Sequence, residues 1–317
     1  MSDYIKEALS LYGITNAETT LLRHNENLTY RIDSEEKSFC LRMKNPVSGF
    51  DLSVFNDDSG TFLRGELELI RALKDKTDIP VQMPIETLTG DVLARLSDGT
   101  LVSLLSWIDG VPLNKEERTE QMLISVGQTF AKLRTTAESS PNLSTFSRFS
   151  YNQELVERLI VKANQGVEYL SQESIQSITR ALNTVSSIMD EMDSREEKLI
   201  AHADPGFGNM IWTGKGVGLI DWSLTGYAHS YMDLGGLMGA TSNRDEQKLL
   251  LSGWESIRGK INRRYLDAYF ALALLLFVCC QYSRSKEWDE WFPAALKRWQ
   301  DTIFDPLSSG CIIPCIL

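Results

Sequence analysis

The stretch at residues 199–222, LIAHADPGFGNMIWTGKGVGLIDW, constrains this chain more than any other. It closes one apolar run with His202-Ala203-Asp204 and a second with Ile220-Asp221-Trp222. Residues 209–213 and 217–221 read as two short strands, and Gly214-Lys215-Gly216 between them has the composition of a tight hairpin turn. Asp204, Asn209 and Asp221 therefore fall at strand ends, where a rigid scaffold can aim polar side chains.

With 317 residues, the chain is long enough for two modest domains or for one domain in two lobes. Its 43% hydrophobic and 24% charged residues are ordinary for a globular protein. A net charge of −11 argues against nucleic acid as a partner and suits a cationic small molecule. The five cysteines, at 40, 279, 280, 311 and 315, show no disulfide framework, and Cys311 and Cys315 lack the His or second Cys pair that zinc wants. The N-terminus lacks the basic and apolar regions of a signal peptide. The longest apolar run, residues 268–280, is short for a bilayer crossing and fits a buried helix. The expectation is a cytoplasmic protein with no membrane partner; its oligomeric state is left open.

Along the chain, residues 3–11 pattern as an amphipathic helix, and 19–23, 28–33 and 37–44 as strands. Residues 46–60 form a Gly-, Ser- and Asp-rich connection, expected to be mobile. A helix follows at 61–76, with Phe62, Leu63, Leu67, Ile70 and Leu73 as its apolar stripe, Glu66 bordering the stripe and Glu68 facing away. Further strands are expected at 81–87 and 101–107. Residues 1–107 thus read as about five strands around one main helix, an α+β lobe. Residues 108–113 have linker composition. The remainder, 114–317, reads as mostly helical: 115–137, 153–164, 173–192, 231–239, 245–257, 262–284 and 288–304. There is no internal repeat, and the apolar tail at 308–317 suggests no role.

Several chemistries are excluded by motif. No phosphate-binding Gly-x-x-x-x-Gly-Lys-Ser/Thr occurs, and Gly214-x-Gly216-x-Gly218 lacks the dinucleotide-binding spacing. No Gly-x-Ser-x-Gly occurs, and three histidines are too few for a multi-His metal centre. What remains is His202-x-Asp204-x-x-x-x-Asn209, with Asp221 twelve residues further on. Asn and Asp oxygens are hard ligands suited to Mg²⁺, and a separate carboxylate can take a proton from a hydroxyl nucleophile. Phosphoryl transfer needs that division of labour.

The same residues resemble the aminoglycoside phosphotransferase family, which includes choline kinase-like, homoserine kinase-like and fructosamine kinase-like enzymes. Its motif, His-x-Asp-x-x-x-x-Asn followed by two apolar residues, Asp and Trp or Phe, is matched by His202, Asp204, Asn209 and Ile220-Asp221-Trp222. Tyr231-Met232-Asp233-Leu234 resembles the Tyr-Asp-Leu that follows. The resemblance implies a bilobal, protein-kinase-like fold, with a five-stranded antiparallel sheet and one main helix in the N-terminal lobe. It implies a nucleotide-binding lobe at 1–107, a hinge at 108–113, and a helical lobe at 114–317 carrying the catalytic loop and acceptor site. It further implies ATP, with GTP as the alternative, as phosphoryl donor, Mg²⁺ as cofactor, and a small-molecule hydroxyl acceptor. Asp204 would be the catalytic base, and Asn209 and Asp221 the metal ligands. Glu26-Asn27-x-x-Tyr30 resembles the turn that covers the nucleotide, so Asn27 would meet phosphate. Arg42 would be the strand cation on the phosphates and Glu66 its helix partner. Trp107, Ile108 and Asp109 would form the hinge whose backbone meets adenine. The sequence departs from protein kinases in having Arg rather than Lys at position 42, with Lys44 on the same strand face as a substitute, and in having no glycine in the covering turn.

Other readings compete. Asp204 alone would read as a surface carboxylate, and Arg42 with Glu66 as a surface ion pair of little value. His202 reads as scaffolding and Asp233 as a loop brace. Trp254, Tyr265, Tyr269, Phe270, Trp288 and Trp291 read as helix core, and Glu287, Asp289 and Glu290 as a solvated acidic face or the rim of a cationic acceptor's site. A choline-, homoserine- or sugar-kinase acceptor, a protein Ser/Thr kinase, a non-catalytic nucleotide-binding relative and a metal-dependent phosphohydrolase stand as alternatives. The helical lobe names no acceptor.

Overall fold

The computed structural model describes residues 3–25, 27–46, 51–55, 59–287 and 291–314. Glu26, Trp288, Asp289, Glu290 and Cys315 lie outside the described residues.

The chain opens with helix α1 (Asp3–Leu11) and strands β1 (Ala17–His24), β2 (Asn27–Ser34) and β3 (Ser38–Lys44), followed by helix α2 (Ser59–Lys74). Strands β4 (Ala94–Arg95) and β5 (Leu101–Ser106) complete an antiparallel sheet of order β1-β2-β3-β5-β4. Successive strand side chains face opposite ways, and here both faces are covered. Leu41, Met43, Val102 and Leu104 pack against Ile5, Ala8 and Leu9 of α1. Cys40 and Leu105, one residue out of phase, pack on the other face with Leu67 of α2. Arg42 shares the alternation of Cys40 and so points towards α2. On α2, Leu69, Ile70 and Leu73 join the core of the helical lobe instead, so this helix is apolar on two sides. Glu66 is buried and Glu68 exposed, as the stripe predicts.

Three local expectations need correction. Residues 81–87 form no strand: Val81 bridges Leu219 and Pro84 bridges Leu105, so the stretch divides between two partners and makes only isolated bridges. The fifth strand is Ala94–Arg95. In the connection expected to be mobile, residues 51–55 are docked on the helical lobe. Val54 and Phe55 are buried, the Phe55 ring lies 4.5 Å from Phe149, and Asp51 pairs with Lys162. Two apolar side chains in a polar stretch are enough to anchor it. Within residues 108–113, expected from their composition as a linker, Val111–Pro112 forms strand β6.

The helical lobe contains α3 (Glu120–Ser139), strand β7 (Phe149–Ser150), α4 (Gln153–Gln165) and α5 (Gln172–Asp193), and then strand β8 (Leu199–Ala201). The hairpin of β9 (Met210–Trp212) and β10 (Val217–Leu219) follows, then β11 (Gly226–Ala228) and α6 (Tyr231–Gly239). The chain ends with α7 (Arg244–Arg258), α8 (Arg263–Gln281), α9 (Trp291–Trp299) and α10 (Asp305–Ser308). Thr119, Asn152, Ser171, Asn243 and Asn262 each accept a backbone N–H at a helix start. By length and composition Arg263–Arg284 could cross a bilayer, but 67% of its most apolar window is buried inside the fold. Burial, rather than the shortness read from sequence, makes it a core helix. Trp254, Tyr265, Tyr269 and Phe270 are core residues, whereas Trp291 is 53% exposed and is not. The tail is pinned by buried Ile313, whose amide donates to Asp267.

At Gly65 on α2 the lobes approach closely: a Cβ there would lie 2.1 Å from the Ser147 carbonyl oxygen. Gly110, at φ +156°, lets β6 lie against β9; its Cβ would lie 2.4 Å from the Trp212 oxygen.

Candidate active site

Hairpin register assembles the centre of the site. Leu219 pairs with Met210, so Asn209 stands opposite Ile220, whose amide donates to the Asn209 carbonyl at 3.0 Å. Asp221 follows directly. The turn preceding β9 brings Asp204 to Asn209, whose Nδ2 donates to Asp204 Oδ2 at 2.7 Å and to the Asp204 carbonyl at 3.1 Å. The other end of the amide, Oδ1, is buried without a hydrogen-bond partner. A buried orphan acceptor beside a carboxylate costs free energy unless something else satisfies it, and a hard cation would. Among the described residues no three His, Cys, Asp or Glu side chains gather into a metal site. A cation held by Asn209 and Asp221 would therefore take its remaining ligands from water and phosphate, the habit of Mg²⁺.

Among the described residues, Ala203 (φ +63°) and Asp221 (φ +59°) are the non-glycine residues with left-handed backbones. Such conformations cost about 1–2 kcal/mol each and persist only where neighbours impose them. For Ala203 the neighbour is Asp233, which accepts the amides of His202 (3.1 Å) and Ala203 (2.8 Å). Burial raises the Asp233 carboxyl above its ordinary pKa, against the pull of these amides. Asp233 braces the loop from beneath. His202 is fully buried, and the Asp204 amide donates to its Nδ1 at 3.3 Å. Its proton therefore lies on Nε2, which donates to the Ile220 carbonyl at 3.0 Å. Burial lowers its pKa, so it is a neutral strut between the loop and the hairpin.

Asp221 Oδ1 accepts from Ser223 at 2.9 Å, and Oδ2 meets Arg23 Nη2 at 2.5 Å. Burial alone would raise its pKa; the Arg42 and Arg23 charges and the Ser223 hydroxyl outweigh it and hold the carboxyl below its usual range. Arg42 meets Glu66 at 2.5 and 3.4 Å, with both side chains over nine-tenths buried. This is not a surface pair.

Asn27 opens β2, opposite Lys44. Trp107 lies beneath Arg31, whose guanidinium carbon is 4.7 Å from the ring centroid. Ile108 approaches Gly218, and Asp109 is exposed.

Three arginines were not singled out from sequence. Buried Arg148 donates to the carbonyls of Phe62 on α2 (2.5 Å), Ser223 (2.6 Å) and Thr225 (2.9 Å), tying the Glu66 helix to the turn after Asp221. Arg118 lies 4.0 Å over the Phe207 ring and pairs with Glu246. Arg23 follows Leu21-Leu22, a pair that breaks the strand's alternation and was the available signal. It marks a bulge, since Leu21 pairs with Tyr30 but Arg23 with Thr29.

A model of the "Phosphotransferase enzyme family" matches residues 18–275. The chain belongs to this family. Solved structures agree on the fold of this phosphotransferase family member, which is kinase-like. A microcompartment-associated aminopropanol kinase has a TM-score of 0.76 at 18% identity, covering 98% of this chain and 99% of the other. An amicoumacin kinase in complex with AMP-PNP and Ca²⁺ has 0.71 at 15%, covering 99% and 95%. A choline kinase from Streptococcus pneumoniae has 0.62 at 16%, covering 98% and 99%. No curated protein matches at the sequence level.

Proposed function

We propose that this family member transfers the γ-phosphoryl group of ATP, with GTP as the alternative donor, to a hydroxyl of a small, amine-bearing acceptor. The observation that carries this is Asn209, whose amide orients Asp204 with one end and keeps a buried, unpartnered oxygen at the other. Base and cation site are thereby locked in one geometry. Residues 1–107 would hold the nucleotide, 108–113 act as hinge, and 114–317 carry the catalytic loop and the acceptor.

In this reading, Asp204 accepts the acceptor's hydroxyl proton as its oxygen bonds to the γ-phosphorus. The bond to the bridging oxygen breaks in line, and its electron pair leaves with the nucleoside diphosphate. Asn209 and Asp221 would hold Mg²⁺, which when bound neutralises phosphate charge. Arg42, fixed by Glu66, directs positive charge at the phosphates. Asn27 contributes from the covering turn, and the backbone of Trp107, Ile108 and Asp109 meets adenine. Support for an amine-bearing acceptor comes from the net charge of −11 and from neighbours named as aminopropanol and choline kinases.

The test is ADP release across amino alcohols, aminoglycosides, hydroxy amino acids and sugars with Mg·ATP and Mg·GTP, alongside Asp204→Ala. That variant should lose about 10²–10⁴-fold in turnover and keep Mg·nucleotide binding. Wild-type turnover in Asp204→Ala ends the assignment.

A further inference from the structure

The turn that covers the nucleotide in this reading, residues 24–27, contains no glycine, so it lacks the close backbone approach a Gly-rich loop gives to phosphates. A cation stands beside it instead. Arg23 is the last residue but one of β1, immediately after the extra residue of the bulge. Bulges bend a strand and re-aim its side chains. Here the re-aimed guanidinium crosses between the lobes to Asp221, 198 positions along the chain, at 2.5 Å. Beyond Arg23, His24 Nε2 bonds to the Asn45 carbonyl at 2.9 Å, tying the end of β1 to the chain after β3. The Arg23 side chain is 43% exposed, so it can swing without disturbing a core.

We propose that Arg23 is an exchangeable counter-ion of the metal–phosphate site, paired with Asp221 in the conformation described here and transferred to the triphosphate when metal and nucleotide bind together. The proposal rests on the reading of Asn209 and Asp221 as metal ligands. Its physical basis is charge. A divalent cation approaching Asp221 on its own meets a guanidinium already on the carboxylate, and like charges at contact distance repel. A triphosphate offers that planar guanidinium a pair of oxygens for bidentate contact, a better partner than one carboxylate oxygen. Arg23 therefore weakens binding of metal alone, strengthens binding of nucleotide alone, and couples the two.

Mn²⁺ binding by electron paramagnetic resonance and AMP-PNP binding in EDTA by calorimetry separate these effects on the full chain. Arg23→Gln should bind Mn²⁺ alone about tenfold more tightly and metal-free AMP-PNP about tenfold more weakly. Arg23→Lys, which keeps the charge but not the fork, should leave Mn²⁺ weakly bound and still lose AMP-PNP affinity. Unchanged Mn²⁺ affinity in Arg23→Gln overturns the proposal, and so does weakening of both ligands together, which is what a damaged site would give. Failure of the parent reading shows separately: Asp221→Ala would then leave Mn²⁺·AMP-PNP binding to an otherwise wild-type chain unchanged.

Discussion

Arg42 and Arg23 each reach a carboxylate at 2.5 Å from the same sheet, in opposite surroundings. The Arg42–Glu66 pair is sealed between sheet and helix, with side-chain exposures of 7% and 2%. Arg23–Asp221 spans the lobes at 43% and 23%. Taking two charges out of water costs several kcal/mol, repaid only while both partners stay in place. A half-solvated pair costs little to make or break. The sealed pair can thus fix a geometry, and the open one can exchange partners. The lobes reflect the same split. α2 is clamped by Gly65 against Ser147 and by Arg148, whereas the end of β1 is bound mainly through strand hydrogen bonds and His24.

Removing one member of the sealed pair is the harshest way to break this contrast. Arg42→Met leaves Glu66 buried without its partner and should cost about 3–5 kcal/mol in urea unfolding. The double variant Arg42→Met/Glu66→Leu should recover much of that stability while turnover stays low. If turnover returned as well, the pair would be a packing device with no part in phosphate binding. Arg148→Lys comes next. A lysine cannot reach carbonyls on both sides of the lobe junction, so about 2–3 kcal/mol should be lost as buried acceptors go unsatisfied. Mg·nucleotide affinity should fall with it, because Glu66 and Asp221 would no longer share a brace. A loss of stability with unchanged affinity would sever Arg148 from the site. Arg23→Gln should move the urea midpoint by less than the equivalent of about 1 kcal/mol. A larger loss would mean that the open pair is also structural.

How much of this could be read from the chain follows from the range of each interaction. Helices at Asp3–Leu11 and Tyr231–Gly239 match their sequence expectations end to end, because apolar period and flanking residues are local signals. The local neighbours at the site follow the same logic: one hairpin register sets Asn209 opposite Ile220, next to Asp221, and a five-residue turn joins Asp204 to Asn209. The 81–87 strand failed because its residues pair with distant and different partners, Val81 with Leu219 and Pro84 with Leu105, which apolar composition does not announce. Arg148 was invisible because its partners lie 74 to 86 positions away, on both lobes, and no periodicity marks a residue that serves carbonyls. Arg23 lay between: its strand was expected, but neither the bulge nor what the bulge would aim at.

The smallest expected effect tests what an open pair is worth when it touches no ligand. Arg64 of α2 holds Asp91 through two bonds, at 2.7 and 2.9 Å, with both side chains about two-fifths exposed. The Arg64 hydrogen bond, against partial burial, lowers the Asp91 pKa to about 2, and the Leu93 and Val92 amides assist. A carboxylate whose folded pKa lies below its ordinary value of 3.8 binds protons more weakly folded than unfolded. Its contribution is therefore complete above pH 4 and is lost as pH falls from about 4 through about 2. Solvent screening keeps that contribution under about 1 kcal/mol. Asp91→Asn should accordingly lower the melting temperature slightly at neutral pH, and the gap to wild type should close as pH falls through about 2. Mg·nucleotide binding should not change. If it fell as it does in Arg148→Lys, α2 would be positioned from its solvent side as well as from the lobe junction.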